Sequence, residues 1–338
     1  MTCYRFICKQ IFFLIISASL FAQEHKEDFE LPAAEVKVAN SRYNAIKLLD
    51  SRLDTTNLGI VQTGAFNRKA KVLAKKPLSD QFAGLLNSMI DQSAGQAELL
   101  LQIRQLSFAE VTGATSEKGY FYFRANLYAN KGGRYQILNT LDTVILLRSM
   151  DVTRGLLRNG SKIMMNFISD NLLKDPSDSV AYSYQQVLNI DQVEKRNIKL
   201  YTAVDLTDGL YATYNSFMNQ TPDQQIRVEG GQINSGGMVS VVDSNGKLKK
   251  VQASKAYAIV HQGKPFVLNR YGYYPLEKRE DDFFFTGKAQ VTASMGTLIT
   301  ASMFFGVIGS LIASDANATF EMKIDHLNGG FIQLKELK

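Results

Sequence analysis

The chain has 338 residues, 45% of them hydrophobic and 21% charged, with a formal net charge of +6 that falls to +4 without Arg5 and Lys9. Lys and Arg are interspersed with Asp and Glu, so the composition lacks the one-signed face of a nucleic-acid binder, and no nucleic-acid partner is expected. The two cysteines, Cys3 and Cys8, both lie in the first 22 residues. Once that segment is removed, disulfides and thiol chemistry are excluded.

Residues 1–22 read as a secretory signal peptide. Arg5 and Lys9 precede the uncharged run from Gln10 to Ala22, whose apolar centre, Ile11 to Ile16, has the length of an export h-region and is too short to span a bilayer. Cleavage is expected after Ala22, although Leu20 at the −3 position is larger than usual. Cys8 precedes the apolar run, so no N-terminal lipid anchor is expected. The expected location is the periplasm or cell envelope, and the remaining chain of about 316 residues has the length of two ordinary domains.

Residues 23–43 open on the charged stretch Glu24 to Glu30 and are expected to be loose. A first α+β domain is expected over 44–175. Ala45, Ile46, Leu48 and Leu49 mark a short strand, and Leu78, Phe82, Leu85, Leu86, Met89 and Ile90 mark an amphipathic helix between Pro77 and Ala94. Three strands follow, over 97–109, 120–130 and 135–147, with Tyr120, Tyr122 and Arg124 alternating against Phe121, Phe123 and Ala125. A second helix is expected from Gly160 to Lys174. The cluster Arg68, Lys69, Lys71, Lys75 and Lys76 is expected to decorate a solvated loop. This order predicts a sheet covered on one face by two helices.

Residues 176–204 are expected to form a linker, opened by Asp175-Pro176-Ser177-Asp178-Ser179. The domain after it, 205–338, reads as strand-rich. Asn245-Gly246 predicts a tight type I′ hairpin turn. Further hairpins are expected around Gln262-Gly263-Lys264 and Asn328-Gly329-Gly330. The fold class expected overall is α+β, with an N-terminal sheet under two helices and a C-terminal strand-rich domain carrying an apolar helical insertion.

That insertion is the stretch from Ala289 to Ser314, 26 residues without a charge. Its length suits a transmembrane helix, and Gly296, Gly306 and Gly309 allow close packing. A simple span would strand the final hairpin on the far side of the membrane, and Lys278, Arg279 and Lys288 oppose the positive-inside tendency. A helical hairpin, packed on its own sheet, facing a partner or dipping into a membrane, is expected instead.

Three segments carry a family resemblance. Asp208 to Asp223 fits the pattern DG-[IL]-Y-x-[TS]-[FY]-x-x-F-x-N-x-[ST]-P. Lys255 to Lys264 and Phe320 to Gly330 supply two further strand-and-turn signatures. Together, over about 205–338, they resemble an uncharacterised family of exported envelope proteins from Bacteroidota-type bacteria. The resemblance implies compartment and architecture, not chemistry, and the Trp common in that family's middle strand is missing here. The N-terminal half is weakly similar to the sheet-and-helix domains of envelope lipoproteins and transporter accessory proteins.

No catalytic, cofactor or metal residue is assigned. His261, His326 and Asp325 are the one conceivable two-histidine, one-carboxylate set, 65 residues apart in sequence. Ser244 and Lys247 have a serine–lysine spacing, but the Asn-Gly turn between them removes the helical geometry that chemistry needs. The carboxylate pairs Asp281 with Asp282 and Asp50 with Asp54 read as surface charge. The expected role is non-catalytic binding or assembly, through an envelope protein partner, self-association or membrane contact at 289–314. The alternative is a secreted hydrolase with an unrecognised active site, which needs at least two convergent polar groups in a pocket.

Overall fold

A computed structural model describes residues 25–64, 68–112, 117–176, 180–233, 237–242, 245–290 and 317–337. The export segment 1–22 and positions 291–314 of the uncharged stretch lie outside the described residues. The protein is mixed helix and strand, 20% and 48% respectively, which makes it α+β with strand dominant.

The first half contains β1 (His25–Phe29), β2 (Tyr43–Asp50), β3 (Gly59–Thr63), β4 (Arg68–Ala74), α1 (Leu78–Met89), β5 (Ala97–Thr112), β6 (Glu117–Lys131), β7 (Arg134–Ser149), α2 (Thr153–Ser169) and β8 (Ala181–Tyr182). Seven strands run in the order β1-β4-β3-β5-β6-β7-β8, and β2 joins by pairing with β5. Two strands share one edge of β5: β2 runs parallel to Ala97–Ile103, and β3 runs parallel to Phe108–Ala109. Gly59 stands where they meet. Its φ is +115°, and a Cβ there would lie 1.9 Å from the Phe108 carbonyl oxygen, so only glycine fits.

The expected alternation along β6 is present. Phe121, Phe123, Ala125 and Leu127 turn toward α1 and α2, sharing one core with Leu99, Leu101, Phe82, Leu86, Leu156 and Phe167. Both helices show one apolar stripe at helical spacing, as an amphipathic segment on a sheet requires. The opposite face of β6 is buried too, with Arg124 and Asn126 among its buried polar residues.

Three features differ from expectation. The N-terminal stretch is not loose: β1 pairs in register with β4, with Phe29 buried. The chain beyond it, a strap over 30–42, is held by Leu31 N–H to Gln81 Oε1 and Ala34 N–H to Ser88 Oγ. Its charges point outward while its backbone is paired, which composition alone does not reveal. The basic cluster lies partly on β4, and Lys75 and Lys76 both engage Glu30. Helix α2 begins at Thr153, and Gly160 is interior to it. A Cβ on Gly160 would come within 2.6 Å of the Phe108 ring, so this glycine serves close packing rather than a helix boundary.

The stretch expected as a linker is largely helical: α3 (Tyr184–Leu188), α4 (Ile190–Lys195) and α5 (Lys199–Thr202). Ser183 and Gln186 form a reciprocal capping box that starts α3.

The second half contains β9 (Gly209–Tyr211), α6 (Tyr214–Met218), β10 (Ile226–Glu229), β11 (Met238–Val242), β12 (Leu248–Lys250), β13 (Ala258–His261), β14 (Lys264–Asn269), β15 (Gly272–Pro275), β16 (Glu277–Arg279), β17 (Asp282–Gln290), β18 (Asn317–Ile324) and β19 (Phe331–Leu337). They form three sheets, β10-β11-β12, β15-β14-β13-β9 and β16-β17-β18-β19. The middle sheet is buried on both faces. Tyr211, Ala258, Val260 and Val267 enter one core with Phe217, Phe283 and Phe320, whereas Leu210, Ile259, Phe266 and Leu268 enter another with Val239 and Val241. Alternate residues serve alternate cores, the period of two that a pleated strand imposes. The aromatic set of the 208–223 motif is therefore packing.

The expected tight turn at Asn245-Gly246 is not the one formed. Val242 pairs with Leu248, so five residues connect β11 and β12, and among the described ones Gly246 takes a positive φ whereas Asn245 does not. Two-residue turns with both φ positive occur instead at Gly132-Gly133 between β6 and β7 and, in this half, at Gln262-Gly263, at +54° and +72°, between His261 and Lys264. Asp208, in the Asp-Gly pair of the motif, explains how a glutamine is held there. Its carboxylate accepts from the main-chain N–H of both Gln262 and Gly263, at 2.8 and 2.9 Å.

Candidate functional site

The concentration of charge lies between the two halves, where the outer face of β5 and β6 meets α4 and the β18–β19 turn. The register of β5 on β6 slips by one residue between Ile103 and Gln105. A bulge of this kind re-aims a side chain, and here it frees Arg104 from the ladder to enter the cleft. Arg104 donates through both terminal nitrogens to the Glu194 carboxylate, at 2.8 Å each, and also to Asp191. His326 Nε2 lies 2.7 Å from the same Glu194 Oε2. The Tyr214 hydroxyl donates to the His326 carbonyl at 2.8 Å, fixing that turn on α6.

Arg124, directly opposite Asp142 on β7, pairs with Asp142 and with Asp325, each at 2.8 Å. Asp282 receives Lys195 at 2.6 Å and Lys323 at 3.1 Å. Thus α4, between the two halves, contributes Asp191, Glu194 and Lys195 to contacts on both sides. Arg104, Arg124, Lys195 and His326 are all buried.

The electrostatics follow from this pairing. Burial penalises the charge on Glu194, but hydrogen bonds from His326 and Arg104, with the Arg104 charge, outweigh it and hold its pKa below the usual carboxylate range. Asp191 is likewise lowered: desolvation opposes ionisation, and the nearby Arg104 and His326 charges overcome it. Desolvation also works against Arg104, which Glu194 and Asp191 keep firmly cationic.

A cleft of about 440 Å³ lies among these groups. Arg124 Nε and Gln105 Oε1, both on its wall, are buried without a hydrogen-bond partner among the described residues. Asp191, Glu194 and His326 offer three ligand atoms within 4.8 Å of one another, a spacing a metal ion can use. The donor set argues for an ion-pair bridge instead. A dication there would face the Arg104 guanidinium, which already bonds both carboxylates.

The structure separates the sequence candidates. His326 and Asp325 enter this cluster through different partners. His261 ends β13 beside the turn held by Asp208 and is not part of the three-ligand group. Asp282 is the doubly paired carboxylate of Lys195 and Lys323, not free surface charge. Asp50 chelates Arg52 at 2.9 and 2.7 Å, and Asp54 bonds Thr56 and Asn57. Ser244 lies outside the described residues. Sequence reasoning missed Arg104, Asp191, Glu194 and Lys195. The available signal was an arginine inside an otherwise apolar strand run, together with acids three residues apart in a supposed linker.

No protein-family model matches the sequence, and no curated protein matches it. Among solved structures, the chain is similar to protein XCC0632 from Xanthomonas campestris, described by the family DUF330. The identity is 7%, the TM-score is 0.28, and the match covers 50% of this chain and 99% of that one. A likeness at that score assigns neither fold nor activity.

Proposed function

We propose that this chain is an exported cell-envelope protein with a binding or assembly role, of the kind its C-terminal half resembles. It meets a membrane, an envelope protein or another copy of itself through residues 289–314, read as an apolar helical insertion in the strand-rich half. The observation that carries this reading is the pairing of Gln290 with Asn317 at the end of the β17–β18 ladder. A chain crossing a bilayer once has its ends about 30 Å apart. Directly paired ends instead favour an excursion that leaves and returns on one side.

Two further observations support the reading. The groups in the charged cleft are engaged with one another across the two halves, as suits a joint more than a reaction centre. Strand β1 begins at His25, just beyond the expected cleavage after Ala22, so processing there leaves the described fold intact.

Paired substitutions Ile299→Asp and Ile308→Asp test the surface role, because an unpaired carboxylate withdrawn from water costs several kcal/mol. The expected outcome is a folded protein with an unchanged melting midpoint that leaves the membrane fraction or loses its crosslinked partner. Outright unfolding identifies the segment as core, and no change in fractionation or association overturns the proposal. N-terminal sequencing of envelope-extracted protein should begin at Gln23.

A further inference from the structure

A second cleft lies on the far side of the first sheet, between the strap and α2, with a volume of about 770 Å³. That is within the roughly 300–1,000 Å³ of small-molecule sites. Its floor is formed by the partly exposed Ala34, Val38, Leu157 and Met165 at the rim of the first core, with the buried Phe29 and Met89 beneath them. Among the strap residues that line it, Pro32, Ala33 and Ala34 have short side chains.

The shape is set by α2. Leu157, Ser161 and Met165 repeat every four residues along the floor, and Arg158, Lys162 and Asn166 repeat beside them along the rim, with Ser169 one turn further. From Leu157 to Ser169 the groove therefore follows the helix for about 18 Å. A long, narrow apolar floor suits a linear chain better than a compact ring system. The partly exposed Met165 adapts to the irregular packing of such a chain.

Charge at the rim is divided, with Arg158 and Lys162 on the α2 side and Asp28, Glu30 and Glu35 on the other. Arg158 and Lys162, one turn apart, have no ion-pair partner among the described residues. On the strap side, Glu30 is taken by Lys75 and Lys76 at 2.7 and 2.9 Å, and Asp28 lies in the field of Lys75. Glu35 is left against two uncompensated cations. An arginine and a lysine at this spacing match an anionic headgroup at one end of an acyl chain.

We propose that this groove binds a free single-chain anionic amphiphile of the fatty-acid class, with the chain along Leu157, Ser161 and Met165 and the carboxylate at Arg158 and Lys162. The groove shares no lining residue with the charged cleft, and none of its lining residues falls in 289–314, so its failure leaves the binding-or-assembly reading standing, and the converse also holds.

The test is displacement of a fluorescent fatty-acid probe, dansyl-undecanoic acid, from the purified mature chain by myristate and by the alcohol of the same chain length. Saturable displacement by myristate is expected. The double variant Arg158→Glu with Lys162→Glu should weaken myristate by at least about tenfold and leave the alcohol nearly unaffected. Ala33→Trp fills the groove from the exposed strap, and should abolish binding of both with circular dichroism unchanged. The proposal is overturned by an absence of saturable binding in the wild type, by equal myristate affinity after the charge reversal, or by a folded Ala33→Trp variant that binds as the wild type does. Flotation with anionic phospholipid vesicles without binding of monomeric myristate also overturns it, because that identifies a membrane surface as the ligand.

Discussion

Arg104 and Glu194 meet in a two-pronged ion pair, both bonds 2.8 Å, although one stands on a strand of the first sheet and the other on a helix leading to the second half. The guanidinium is buried, and its charge has exchanged water for these carboxylates. Glu194→Leu should therefore destabilise the protein by on the order of 2–4 kcal/mol, with Asp191 as the partial replacement. Converting both partners, Arg104→Met with Glu194→Leu, should recover much of that loss. Urea unfolding of the three proteins measures it, and a double variant worse than the single one contradicts the account.

Acid should loosen the same joint. Asp191 and Glu194 have folded pKa values below their unfolded ones, so their contribution is complete above about pH 5 and disappears as the pH falls through the lower folded values. Limited proteolysis across 180–204 should accelerate in that acid window in the wild type. In Glu194→Gln the acid response should be smaller, and equal responses would remove this carboxylate from the explanation.

Glu110 behaves in the opposite sense. Its Oε2 accepts from Thr153 Oγ1 at 2.6 Å and from Gln62 N–H at 3.2 Å, while Oε1 is buried without a hydrogen-bond partner among the described residues. Burial raises its pKa to about 7, helped by the neighbouring Glu117 carboxyl and opposed by the Thr153 and Gln62 bonds. The folded state thus keeps a proton that the unfolded chain has lost, so stability declines as pH rises from about 4 to about 7. Glu110→Gln mimics the protonated acid. At about pH 8 it should be more stable than the wild type by on the order of 1–3 kcal/mol, and near pH 4 the two should agree. Thermal melts at both values decide it, and parallel curves would refute the shift.

Gly59→Ala should be the most damaging single methyl in the first sheet. It meets the Phe108 carbonyl and a left-handed φ together, and separating β3 from β5 should cost about 3 kcal/mol or more. Hydrogen exchange should show protection lost at Phe108, whose N–H bonds the Leu58 carbonyl at 2.7 Å. Retained protection there would mean that the backbone absorbs the methyl.

Local pattern carried much of this architecture into the sequence. Leu78 to Met89 announced α1 because five apolar residues, Leu78, Phe82, Leu85, Leu86 and Met89, repeat at helical spacing, and the alternation of Tyr120 to Ala125 announced both faces of β6. What escaped was non-local. Residues 25–43 look polar because their order comes from main-chain bonds to β4, Gln81 and Ser88, which side-chain composition does not record. Gly160 signalled a helix boundary until Phe108 supplied its reason. The charged cleft was least legible, since Arg104 depends on a bulge and its partners lie about ninety residues away.

The register of β17 on β18 also bears on deletion. Between Gln290 and Asn317 the chain inserts 26 residues into what would otherwise be an ordinary hairpin connection. Closure entropy grows only with the logarithm of length, about 0.6 kcal/mol per doubling, so replacing the insert by a short turn, three to four halvings, favours the ladder by only about 2 kcal/mol. The two strands therefore pair more favourably without the insert than with it. The apolar composition of that connection, uncharged as far as Ser314, answers to demands other than holding β17 and β18 together.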